Sequence, residues 1–128
     1  DYIVVNDIMV QRGYGGGLMV VEAEGKFLNL KLNNMGRPGY MMSSKALFEN
    51  LEVIHCYGPF LTYASQFSIS NLNFSDNHSN ITIRAYDDGL YAPEVDIEDA
   101  VFARNATGPA ALEIGRTPAT PTNVRVNR

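Results

Sequence analysis

The sequence predicts a mainly β domain, an antiparallel β-sandwich or small barrel with one short α-helix, and three observations predict it. Apolar and polar residues alternate, as where Leu28, Leu30 and Leu32 interleave with Asn29, Lys31 and Asn33. Turn-forming residues such as Asn6-Asp7, Gly25-Lys26 and the stretch SDNHSN separate these runs. A chain of 128 residues, 45% hydrophobic, is long enough to build one core and too short for two.

Taken in order, Tyr2 to Val5 and Ile8 to Val10 read as a first hairpin about Asn6-Asp7. Leu18 to Glu24 and Phe27 to Asn33 read as a second, about Gly25-Lys26. The segment NNMGRPGYMM reads as a loop, because its glycines and proline break regular structure. Ser43-Ser44 then reads as an N-cap before KALFENL, where Ala46, Leu47 and Leu51 share one helical face. Leu51 to Tyr57 returns to β character and ends at Gly58-Pro59. Gln66 to Phe74 and Asn80 to Tyr86 make the third hairpin, and Val95 and Ile97 alternate with Asp96 and Glu98 as an edge strand. Residues 1–106 form the expected domain. Residues 107–128, with Pro118, Pro121 and no apolar alternation until Val124 and Val126, form an extended linker or arm. The chain reads as having no internal repeat.

Composition narrows the function. A net charge of −4 gives no basic face for nucleic acid, and no apolar run reaches the length of a membrane-spanning helix. The single cysteine excludes an internal disulfide. The glycines of RGYGGGLMV lack the lysine and hydroxyl that a phosphate loop requires, so they read as a turn before a strand. His55 and Cys56 are sequence neighbours, which on a strand face opposite ways and cannot share one metal or act together as nucleophile and base. Asp87, Asp88, Asp96, Glu98 and Asp99 lack the spacing of a calcium loop. The expectation is a protein with no catalytic residue, no cofactor and no metal.

Two surfaces remain as candidates. Tyr40, Met41 and Met42 form an adaptable apolar cluster that suits either internal packing or a partner subunit. Asn73, Asn77, Asn80 and Asn105 each begin an N-glycosylation triplet, although turns are rich in Asn and Ser for backbone reasons alone.

The stretch FSISNLNFSDNHSNITIRAYDDGLYA, a strand, polar turn and strand ending in tyrosine, resembles the closing hairpin of a barrel domain in the central tail-tip (hub, host-specificity) proteins of long-tailed bacteriophages. TPATPTNVRVNR resembles the entry to a fibronectin type III module that follows in that family. The same hairpin, with a short helix at Ser44 to Leu51, also resembles phage tail-tube subunits, and YIVVNDIMV resembles the opening of distal tail proteins. The resemblance implies a non-enzymatic virion subunit of the tail that assembles with copies of itself and neighbouring tail proteins through sheet edges and extended arms. Pro118, Pro121, Val124 and Val126 of the arm and the Tyr40 cluster are the expected contacts. The alternative is a secreted, N-glycosylated surface or filament protein located outside the cell.

Overall fold

The computed structural model describes residues 2–63, 65–78, 83–86, 94–106, 112–114 and 123–127. Its strands are β1 (Tyr2–Asn6), β2 (Met9–Gln11), β3 (Gly16–Val21), β4 (Glu24–Asn33), β5 (Arg37–Met42), β6 (Lys45–Ile54), β7 (Phe60–Tyr63), β8 (Gln66–Ser75), β9 (Ile83–Tyr86), β10 (Glu94–Ala103), β11 (Leu112–Ile114) and β12 (Asn123–Asn127). No helix occurs among the described residues. One sheet runs β1-β4-β6-β8-β10-β12, with β2 also on β4, and the other runs β11-β9-β7-β5-β3. Every pairing is parallel. The fold is therefore a β-solenoid and not the expected antiparallel sandwich.

The register displays an internal repeat, contrary to the sequence expectation of none. Glu24 lies beside Lys45 and Lys45 beside Gln66, so 45 − 24 and 66 − 45 both give a coil of 21 residues. The next coil, from Gln66 to Glu94, is longer by seven, since 94 − 66 is 28. Corners are marked by residues of positive φ. Asp7, Asn29, Asn50, Asn71 and Asp99 form one row, Arg12, Asn34, His55, Asp76 and Arg104 a second, and Glu22 and Ser43 belong to a third. Each complete coil thus has three sides. Among residues with a side chain the left-handed region is least costly for Asn and Asp, which explains why they fill the whole first row.

These corners account for the misread hairpins. The turns about Asn6-Asp7, near Gly25 and after Ser75 do not reverse the chain; they carry it onward, so that β1 and β2 both pair with β4, while β3 and β4, and β8 and β9, lie in different sheets. The expected helix at Ser44 to Leu51 is strand β6 for a related reason. Ala46, Phe48, Leu51 and Val53 all point inward, and the corner at Asn50 inserts an extra step between Phe48 and Leu51. A 2-3-2 spacing of inward residues imitates helical periodicity while remaining β. The segment expected to be a loop likewise contains β5.

Inward side chains stack rung upon rung. Phe27 lies on Phe48 with ring centroids 5.0 Å apart, and Phe48 meets the edge of Phe60 at 5.7 Å. Leu30, Leu51 and Leu72 form a second buried column, and Leu32, Val53 and Phe74 a third. Burying a side chain of this size contributes about 1.5–3 kcal/mol. On the surface, the amide of Asn29 donates to Asp7 at 2.8 Å, Asn50 to Asn29 at 2.7 Å and Asn71 to Asn50 at 2.7 Å, a ladder that satisfies one corner row. Lys31 and Glu52, neighbours in register, form an ion pair across the same face.

Candidate interaction surfaces

The first coil differs from those behind it because no described strand covers its leading side. β1 ends the larger sheet, so one edge of its backbone has no strand partner among the described residues. Ile3 and Ile8 occupy the inward register positions of Gly25 and Leu30, yet they are 45% and 44% exposed, where Leu30 is 2% exposed. Tyr2, Val4 and Met9 are exposed beside them. The edge from Tyr2 to Asn6 carries no proline and no lysine, the usual devices that prevent strand addition. At the opposite end of the same sheet stands β12, paired only with β10 in the sheet order.

The expected Tyr40, Met41 and Met42 cluster divides along the strand. Met41 is fully buried in the core, whereas Tyr40 and Met42 face outward, the Tyr40 hydroxyl donating to Met42 Sδ at 3.7 Å. Met19 lies next to Tyr40 in register and is exposed, so the outer face of the smaller sheet is apolar there. Pro118 and Pro121 lie outside the described residues. Val124 and Val126 occupy the register positions beside Val95 and Ile97 in β12.

Among the glycan candidates, Asn77 is 3% exposed and its side chain is fully engaged. Its oxygen accepts from the Cys56 amide at 2.9 Å, and its nitrogen donates to the Val53 carbonyl and to Asn105 Oδ1, both at 3.0 Å. Asn105 in turn donates to the Phe74 carbonyl at 3.0 Å. Both residues hold the turn together, and a glycan on Asn77 has no path to solvent without unfolding it. Asn73 sits on β8 and accepts from Ser75 at 2.9 Å, and Asn80 lies outside the described residues.

The polar candidates are placed on one corner. His55 is exposed while Cys56 is buried, its thiol pushed up in pKa by that burial and its Sγ 3.3 Å from the Ile54 carbonyl. His78 stacks on Tyr57, centroids 4.5 Å apart and planes 12° from parallel. Arg104 grips Asp76 through two bonds of 2.7 Å, which hold the Asp76 carboxyl below its usual range. No cluster of three His, Cys, Asp or Glu able to hold a metal occurs among the described residues. Asp87 and Asp88 lie outside them, and Asp96, Glu98 and Asp99 are spread along β10. The exposed edge and the Tyr14 and Tyr57 positions carry no local motif; the recurrence of Asn at 29, 50 and 71 is the sequence signal of the coil repeat that places both.

No protein-family model, curated protein or solved structure matches this chain.

Proposed function

We propose that the chain is a structural, non-enzymatic module that builds a longer assembly by strand addition, the β12 edge of one copy docking on the β1 edge of the next. The observation that carries this reading is the first coil, which no described strand covers and where inward apolar positions lie beside a parallel edge free of proline and lysine. The occupant follows from strand direction. Every rung is parallel, so a translated copy continues the ladder, whereas a copy related by a two-fold axis would bring β1 against β1 in antiparallel fashion. In continued register Val124 and Val126 fall beside Ile3 and Val5. Main-chain hydrogen bonds supply affinity and the alternating side chains supply register.

The separation of exposed His55 from buried Cys56 supports a role without bond-making chemistry. A virion component is the setting we propose for the assembly, on the sequence resemblance alone; the hairpin that resemblance implied is replaced by β8 and β9 in two different sheets. Sedimentation over a concentration series tests the assembly. The mass of the wild-type chain rises with concentration, and Ile3→Lys stays monomeric with an unchanged fold. A wild-type chain that remains monomeric at about 1 mM, a range in which even contacts of about 4 kcal/mol are populated, overturns the reading, as does an Ile3→Lys chain that assembles equally well.

A further inference from the structure

Four backbone bonds define a column of equivalent corner positions. Gly36 donates to the Gly13 carbonyl at 2.7 Å, Tyr57 to Met35 at 2.9 Å, His78 to Cys56 at 2.7 Å and Ala106 to Asn77 at 2.9 Å. In each case the donor stands one rung beyond the residue that follows its acceptor. The column is therefore Tyr14, Gly36, Tyr57, His78 and Ala106. Tyr57 and His78 show what adjacent rungs of this column do when both carry rings, which is to stack. Between Tyr14 and Tyr57 the ring is missing, because a Cβ at Gly36 would lie 2.2 Å from the Tyr14 carbonyl oxygen.

The gap has a definite size and charge. Two rungs separate Tyr14 from Tyr57, about 9.6 Å at the usual strand spacing. One ring between two others needs about 7–8 Å at ordinary carbon contact distances, so this spacing admits one further ring. Tyr14 is fully exposed, and Tyr57 remains 60% exposed although His78 covers one side of it. Arg12 lies two residues before Tyr14 and Arg37 directly follows Gly36; both are exposed, and neither forms an ion pair among the described residues. Asn34 and His55, on the neighbouring corner row, add hydrogen-bonding groups.

We propose that the Tyr14–Gly36–Tyr57 gap is a binding site for an acidic saccharide, the tyrosines taking the apolar faces of one saturated sugar ring and Arg12 and Arg37 its carboxylate. Guanidinium and carboxylate form the strong, charge-assisted pairs that select an acidic sugar over a neutral one. The site is on a corner and does not involve the β1 edge, so it stands apart from the assembly reading.

Amide NMR titration of the full chain carrying Ile3→Lys, which removes any effect of assembly, tests the site with methyl glucuronide, methyl glucoside and adenosine monophosphate. Methyl glucuronide shifts the amides around Tyr14, Gly36 and Tyr57 with about millimolar affinity, the range expected for one small ring. Methyl glucoside binds about tenfold more weakly, as does the glucuronide to Arg37→Gln, because the charged pair is lost. Tyr14→Ala also weakens it, and its circular dichroism is unchanged because Tyr14 packs on nothing. The proposal is overturned by the absence of shifts at about 50 mM glucuronide, far above that affinity. Shifts centred elsewhere, equal binding of the glucoside, tighter binding of the nucleotide or full binding by Tyr14→Ala overturn it equally.

Discussion

The first coil and the two coils behind it are made of similar residues and live in different environments. Leu30 and Leu51, at equivalent inward positions, are 2% and 1% exposed; Ile8, in the same column, is 44% exposed. Hydrophobicity along the strand is alike, so the difference comes from the number of covering rungs. A solenoid coil cannot bury its own apolar side, and it gains its stability from the coils above and below. What sets the first coil apart is thus its position in the stack.

Substitutions at matched positions sharpen this contrast. Phe48→Ala removes a fully buried ring that contacts Phe27 and Phe60, and chemical denaturation should show a loss of about 3–5 kcal/mol. Ile3→Ala in the monomer should cost well under half as much, since its side chain is already partly in water. Equal costs would erase the distinction between the regions. Next in size is Asn77→Ala, which strips partners from the Cys56 amide and the Val53 carbonyl and should cost about 1–3 kcal/mol.

Asn50→Ala breaks the exposed amide ladder on both sides and places alanine at a φ of 57°, for a cost of about 1–2 kcal/mol. Asn50→Gly relieves the backbone part and should recover most of it, as parallel melting curves would register. The smallest effect is that of pH on the Arg104–Asp76 pair. The folded carboxyl titrates below the usual range, so its contribution is present above the ordinary aspartate pKa and is lost as pH falls through the lower, folded value. Asp76→Asn should flatten that acid limb slightly. The pair is solvent-exposed, so the change is small.

The strand content was legible in the residues and the strand direction was not. Alternation located most of β4, β8 and the start of β10 correctly, because inward and outward positions follow the pleat whether neighbours run parallel or antiparallel. Asn6-Asp7 predicts a reversal because Asn and Asp favour left-handed φ in tight hairpins; the same preference serves a corner that turns the chain without reversing it. The repeat is carried openly only by Asn-Leu at 29–30, 50–51 and 71–72; other inward columns vary in residue type, as Gly25, Ala46, Phe67 and Val95 do, and one coil is longer than its neighbours. The half-exposed Tyr40 and Met42 were identifiable as an outward apolar pair, but Met41 between them belongs to the core by strand alternation. The Tyr14–Tyr57 gap depends on register across coils, which no local window contains.

Hydrogen exchange at the amides of β1, compared with those of β6 in the same sample, tests the open edge most directly. At dilutions where the chain is monomeric, the β1 amides facing away from β4 exchange much faster than those of β6, and raising the concentration protects them before any other group changes. If β1 is as protected as β6 in the monomer, or if assembly leaves β1 exchanging freely, its edge is not where copies join.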